Sequence, residues 1–281
     1  MIICIHSSGS SGRQWDSLKE MLVGEETVLT PDLLGSGEQK LPDAEITIDD
    51  EINCITRQIP ERGRFHLVGH SYGGYVAMEL ARRMPERVLS LAMYEPVFFK
   101  YLVYFDQIAY VEISRMRSAV ARLMNSGQAH QAAALFVNYW NGDGAWETLS
   151  DTKQAKLAEW MPKLLCEFRF GFGNGLEPAE LNGLNMPTLI LSGSGSTRAG
   201  GASARFVDSL LPNSTYQRLA GLPHMGPVTH PAIVNRKIVD FVAEVNFYSP
   251  DPATEKVLRG TSGVPAKMVM GRPVRKNYVC F

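Results

Sequence analysis

Gly69-His70-Ser71-Tyr72-Gly73 follows the apolar run Phe65 to Val68 and precedes a helix-patterned stretch. A serine between two glycines, where a strand turns sharply into a helix, has a specific chemical use. The apex residue is forced into a strained backbone conformation, and only small neighbours leave room for the turn. Its hydroxyl is lifted clear of the sheet, beside the first unpaired N–H groups of the helix, which stabilise developing negative charge. Ser71 is therefore read as a nucleophile.

A nucleophilic serine needs a base, an orienting acid and donors for an oxyanion. Of the six histidines, His224 fits the base. It lies in Ala220-Gly221-Leu222-Pro223-His224-Met225-Gly226-Pro227, between the last strand pattern and the last helix pattern. Such a loop leaves the imidazole free at the sheet edge to which Ser71 points. His70 is on the wrong side of its turn and reads as packing. His66 falls within a strand, His130 within a helical insertion, and His230 before Pro231 at a helix start. His6 ends the first strand and reads as a brace for the loop that follows.

The elements that must hold these residues alternate. Strand patterns cover Ile2 to Ile5, Thr27 to Thr30, Phe65 to Val68, Val88 to Met93, Thr188 to Leu191 and Thr215 to Leu219. Helix patterns cover Gln14 to Leu22, Ile46 to Ile59, Tyr72 to Met84, Ala204 to Leu211 and Ala232 to Val245. This alternation predicts an α/β fold, a mostly parallel sheet with helices on both faces. Core residues 1–97 and 182–248 flank an insertion at 98–181. In it Ile108 to Met124, Leu135 to Trp140 and Leu157 to Phe168 recur at helical spacing, predicting a helical lid. Most of its aromatic and methionine stripes read as lid core, with a few side chains facing a pocket. Residues 249–281 carry Lys256, Arg259, Lys267, Arg272, Arg275 and Lys276 without a helical period and read as a basic, poorly ordered tail.

Composition narrows the class. The chain has 281 residues, 45% hydrophobic and 20% charged, with a formal net charge of -1. That balance suits a globular protein with a small-molecule substrate and points to neither nucleic acid nor an anionic membrane. Cys4, Cys54, Cys166 and Cys280 have no metal-site spacing and read as reduced thiols, with Cys4 and Cys54 as core filler. No run has the length of a membrane span, and the start lacks a basic leader, so a cytoplasmic location is expected. The oligomeric state is left open.

In family order, these segments resemble an α/β-hydrolase fold protein of the capped, single-domain, esterase-like type. The matching residues span most of positions 2 to 245. They are His6-Ser7-Ser8-Gly9-Ser10 with Trp15, Pro31-Asp32-Leu33-Leu34-Gly35-Ser36-Gly37, the Gly69 to Gly73 turn, Met186-Pro187-Thr188-Leu189, and Gly221 to Pro227 with His230-Pro231. The resemblance implies an oxyanion hole made by the backbone N–H of Tyr72 and that of Ser8, with Ser7 as the near alternative. It also implies two strands ahead of the one ending at His6. This chain shows none: either the domain is a short form or the sequence begins late, and loss of that hairpin would expose a sheet edge.

The family usually carries its acid in the loop after the strand that follows the lid. Here that loop reads Ser192-Gly193-Ser194-Gly195-Ser196-Thr197-Arg198, with Ser196 at the expected position and no carboxylate. The family's second place for the acid, at the end of the preceding strand, holds Tyr94-Glu95-Pro96. Glu95 is read as the acid that orients His224. The competing account is a lid-hinge carboxylate paired with an arginine, leaving a Ser–His dyad. Asp143 reads as a turn residue and Asp32 as a turn brace.

A serine at the turn speaks against the family's haloalkane dehalogenases and epoxide hydrolases, which place a carboxylate there. The resemblance implies a serine hydrolase acting on a carboxylic ester, or a related lactone or thioester, of a small and partly apolar substrate. An acyl-enzyme would form on Ser71, with no metal or organic cofactor. The alternatives are a ligand-binding, receptor-like member of the fold and a lyase using the same serine and histidine.

Overall fold

Three runs too apolar to face water on either side form the centre of the molecule: β1 (Ile2–Ile5), β3 (Phe65–His70) and β5 (Thr188–Gly193), every residue of each buried. The computed structural model describes residues 1–42, 45–173 and 175–248. With β2 (Val28–Leu29), β4 (Val88–Tyr94) and β6 (Ser214–Leu219) these strands make a six-stranded sheet in the order β2-β1-β3-β4-β5-β6. Every neighbouring pair is parallel. The fold is α/β, as the alternation of patterns predicts. The sheet edge at β2 is only two residues long, which limits the open hydrogen-bonding groups it presents.

Successive side chains of a strand point to opposite faces, and β1 feeds two cores. Ile2 and Cys4 pack with Trp15, with Leu18 of α1 (Asp16–Met21) and with Val234, Ile238 and Val242 of α11 (Pro231–Tyr248). Ile3 and Ile5 pack instead with Ile52 and Ile55 of α2 (Ile48–Thr56) and with Val76 and Leu80 of α3 (Tyr72–Arg83). Helix α9 (Arg198–Leu210) joins this second face through Ala202 and Val207. Cys4 and Cys54 are buried core residues, as expected.

The chain leaves β1 for β2 on one side and returns to β3 on the other. The loops after β1 and β3 therefore separate at the carboxyl ends of the strands, the crevice where open parallel sheets hold ligands. Ile5 is in register with Gly69, so Ser7 and Ser8 leave the sheet beside Ser71.

Between β4 and β5 the chain builds α4 (Leu102–Phe105), α5 (Gln107–Asn125), α6 (Ala129–Asn141), α7 (Asp151–Phe172) and α8 (Pro178–Leu181). The three expected helical segments correspond to α5, α6 and α7. The first core helix differs from expectation, since Gly12–Trp15 is a 3-10 turn that leads into a short α1. Helix α9 starts six residues earlier than its pattern. Thr197 caps it by accepting from Gly200 N at 3.1 Å, and the buried glycines Gly200 and Gly201 hide the start from a propensity reading. A final short helix, α10 (Gly226–Thr229), precedes α11. The basic tail expected at 249–281 lies outside the described residues.

Candidate active site

Ser71 stands at the junction of β3 and α3 with φ 56° and ψ -119°, a conformation that side-chain-bearing residues rarely adopt. The flanking glycines are needed for space. A Cβ on Gly69 would stand 2.6 Å from Gly73 O, and one on Gly73 would stand 2.4 Å from the carbonyl oxygens of Ile5 and His6. The turn is anchored to β4, with Ser71 N donating to Tyr94 O at 3.0 Å and Val97 N donating to Ser71 O at 3.1 Å.

Three side chains meet at this edge. His224 Nε2 lies 3.0 Å from Ser71 Oγ, and His224 Nδ1 lies 2.6 Å from Glu95 Oε2. All three residues are buried. Glu95 is the other non-glycine residue of positive φ among the described residues, at 45°. Its backbone N–H donates to Leu191 O at 2.9 Å, which pins the end of β4 to β5.

The end of β5 and the loop after it, which carry no acid, instead supply donors to one. Glu95 Oε1 accepts from Ser192 Oγ at 3.0 Å and from Gly193 N at 2.9 Å, and Oε2 accepts from Ser196 Oγ at 2.6 Å. With these donors in place the carboxylate is an acceptor to His224 Nδ1–H. The Nε2 lone pair is then directed at the Ser71 hydroxyl.

The loop bearing His224 is held from below. His70 Nε2–H donates to His224 O at 2.9 Å, and Tyr94 Oη–H donates to Pro223 O at 2.7 Å. His70 thus does more than fill space. Burial holds its imidazole well below the ordinary range, so it stays a neutral donor. From the insertion, Trp140 of α6 stacks on His224 with ring centroids 4.0 Å apart and planes at 30°.

Tyr72 and Ser8 line the same small space as Ser71. The alternative donor, Ser7, is committed elsewhere: its N–H and its hydroxyl both donate to Gln14 Oε1, at 3.1 and 2.9 Å. His6 fixes the loop as a neutral ring. Its Nε2 accepts from Leu33 N at 3.1 Å, so Nδ1–H donates to Ser7 O at 2.8 Å. Burial lowers its pKa to about 4.

The remaining candidates stand elsewhere. His66 Nδ1 bonds Ser90 Oγ within the sheet at 2.8 Å, His130 packs edge-on against Trp146, and His230 Nδ1 bonds Thr229 Oγ1 at 2.8 Å. Asp32 accepts from Gly12 N at 2.7 Å and serves as the expected brace, and Asp143 is exposed.

A cavity of about 370 Å³ opens beside Ser71 and His224, bounded by Ser8, Phe136, Trp140 and Met225. Behind Ser71 it meets a tight apolar recess formed by Val97, Phe99, Leu164, Phe168 and Phe172, with Glu167 as its ionisable wall residue. Much of that wall comes from α6 and α7. Sequence patterns mark these residues as helix faces but do not separate core from pocket. Trp140 and Glu167 carried no separate signal.

Among the described residues no cluster of His, Cys, Asp and Glu could hold a metal ion, and no helix is long and apolar enough to cross a membrane.

The family model described as alpha/beta hydrolase fold matches residues 1–231, and the chain belongs to that family. An uncharacterised protein of Mycobacterium tuberculosis is 34% identical over 89 residues, 31% of this chain and 26% of its own length. The chain thus spans about a quarter of that relative. RutD of Variovorax paradoxus, a candidate carbamate hydrolase, is 26% identical over 259 residues, 85% of this chain and 90% of its own. The solved structure of a thermophilic esterase from Thermogutta terrifontis is similar with a TM-score of 0.66 and 18% identity, over 87% of this chain and 89% of that one. That likeness shows the fold.

Proposed function

We propose that the protein is a serine hydrolase that cleaves a carboxylic ester, or a related lactone or thioester, of a small and partly apolar substrate. The observation that carries this reading is the hydrogen-bonded chain Ser71 Oγ, His224 Nε2, His224 Nδ1, Glu95 Oε2, with contacts of 3.0 and 2.6 Å.

In the proposed reaction Ser71 Oγ attacks the carbonyl carbon while its proton passes to His224 Nε2. The tetrahedral oxyanion is received by the N–H groups of Tyr72 and Ser8. Glu95 stabilises the imidazolium without taking its proton. The imidazolium protonates the departing alkoxide, and the alcohol leaves an acyl-enzyme on Ser71. Water then gives a proton to His224, its oxygen attacks the acyl carbon, and Ser71 recovers its proton as the acid departs. Trp140 covers the imidazole, and its π face attracts the positive charge that develops on the ring during the proposed step. The insertion acts as a lid in this reading, its α6 and α7 side chains enclosing the acyl group and excluding water.

The test is pre-steady-state hydrolysis of p-nitrophenyl acetate together with labelling by a p-nitrophenyl phosphonate. The expected result is a burst of one equivalent and a phosphonate on Ser71, both lost in Ser71→Ala. Labelling without turnover would favour a binding protein. A protein that neither reacts with the phosphonate nor releases nitrophenol is not a serine hydrolase.

A further inference from the structure

A second polar cluster is buried where α2, α3, α7 and the loop after β1 come together. Lys163 of α7 has no exposed side-chain surface, and its Nζ pairs with Glu51 Oε1 of α2 and, at 3.2 Å, with Glu167 Oε1 one turn further along α7. Glu51 is fully buried and Glu167 nearly so. Burying three ionisable groups is costly, and apolar residues of similar size would commonly be as stable or more so. Stability alone therefore does not account for the cluster.

Its outward contacts are specific. Glu51 Oε1 accepts from Tyr72 Oη at 3.2 Å, and Glu51 Oε2 accepts from Leu34 N at 3.1 Å. Glu167 Oε2 accepts from Ser8 Oγ. Lys163 Nζ lies 4.8 Å from the centre of the Tyr72 ring. One ammonium group thus joins two carboxylates, and each of these holds the side chain of a residue whose backbone N–H is assigned to the oxyanion hole. Burial works against the charge on Lys163, but Glu167 and Glu51 outweigh it and hold the amine above its ordinary range.

We propose that Lys163 is a positioning residue for the oxyanion hole, acting through Glu51 on Tyr72 and through Glu167 on Ser8. The inference rests on the ester-hydrolase reading above. Donors fixed before the oxyanion forms need no reorganisation during the reaction, which is the source of their effect. Ser8 sits in a loop rich in serine and glycine, and its amide has no regular element to hold it. The side-chain tether to Glu167 supplies that restraint. Because Lys163 and Glu167 both belong to α7, the hole is complete only while the insertion is docked on the core.

The test compares Lys163→Met and Tyr72→Phe with wild type in p-nitrophenyl acetate hydrolysis and in inhibition by an aryl trifluoromethyl ketone. The ketone's adduct with Ser71 carries an oxyanion. Rates are normalised to sites titrated by the phosphonate, so that a misfolded fraction does not count. Lys163→Met should lower kcat by about 100-fold and weaken the ketone by a similar factor, with KM within about threefold. Tyr72→Phe, which deletes one oxygen from a folded core, should move kcat and ketone affinity in parallel by about threefold to tenfold. If Lys163→Met does not fold, Tyr72→Phe decides alone. Wild-type kcat and ketone affinity per titrated site in the folded variants would overturn the positioning role while leaving the hydrolase reading intact. A wild-type protein that takes up neither phosphonate nor ketone would remove the hydrolase reading and this inference with it.

Discussion

Ser196 donates its hydroxyl proton to Glu95 Oε2 at 2.6 Å, from the loop position where the family resemblance leads one to expect the acid itself. The same carboxylate oxygen lies 2.6 Å from His224 Nδ1. Glu95 and the family's usual position for the acid are thus adjacent in space, Glu95 directly following β4 and Ser196 lying in the loop after β5. A carboxylate just past the end of β4 reaches the imidazole that a carboxylate after β5 would reach, and the end of β5 with the loop after it supplies its hydrogen-bond donors.

The first prediction concerns Glu95. Glu95→Gln keeps the shape of the side chain but can offer an N–H to His224 Nδ1, which favours the wrong tautomer. The expected loss is about 1,000- to 10,000-fold in kcat for p-nitrophenyl acetate, with KM little changed. A loss under about tenfold would mean that Ser71 and His224 work as a dyad and that Glu95 is a structural carboxylate.

The second prediction follows from the contact between Glu95 and Ser196. In Glu95→Gln/Ser196→Asp the new carboxylate starts from a backbone position already within reach of the Oε2 site. Activity should recover by about tenfold or more over Glu95→Gln alone. Ser196→Asp in the wild-type background should lower activity, because two carboxylates then crowd one imidazole. Equal rates for the double variant and Glu95→Gln would show that position 196 cannot present an acid to His224.

The third prediction concerns Trp140. Its ring stacks on His224 with centroids 4.0 Å apart, so the imidazolium of the proposed acylation step would gain from the π face. Trp140→Leu keeps the apolar cover and removes that gain. Titrated sites should turn over about tenfold more slowly, with their number unchanged. Unaltered kcat in Trp140→Leu would reduce Trp140 to a wall of the cavity.

The sheet, the turn at Ser71 and the loop of His224 were legible because each rests on local pattern. Apolar runs mark strands that are covered on both faces, and the glycines at 69 and 73 mark a place where a Cβ has no room. The pairing of Glu95 with Ser192, Gly193 and Ser196 was not legible, because it depends on the register of β4 against β5. That register is a long-range property: Tyr94 pairs with Leu191 across almost a hundred positions of intervening chain. Trp140 was hidden for a different reason. It lies on a helix with Phe136, Tyr139 and other large residues, and helical period alone does not say which of them faces His224. Lys163 and Glu167, four residues apart, carry no mark in the sequence that sets them apart from any i,i+4 pair on a helix, and their burial depends on Glu51 and Ser8 being brought against them.

The last prediction is a dependence of stability on pH. Burial, partly offset by Lys163 and Ser8, raises Glu167 from its ordinary 4.5 to about 7. Between those values the folded protein keeps a proton that the unfolded chain has released. The stability from this group is therefore full below pH 4.5 and is lost as the pH rises to about 7. His6 acts in the opposite sense. Its folded pKa of about 4 lies below the ordinary 6.5, so its contribution is full above pH 6.5 and is lost as the pH falls towards 4. His70, also held low by burial, adds to the His6 slope. In the wild type these slopes oppose each other over mildly acidic pH. Glu167→Gln removes only the first, so the variant should gain stability relative to wild type as the pH rises from about 5 to about 8. Urea midpoints of both proteins at several pH values in that range measure the difference. Parallel curves would mean that Glu167 is ionised throughout and that Lys163 fully compensates its burial.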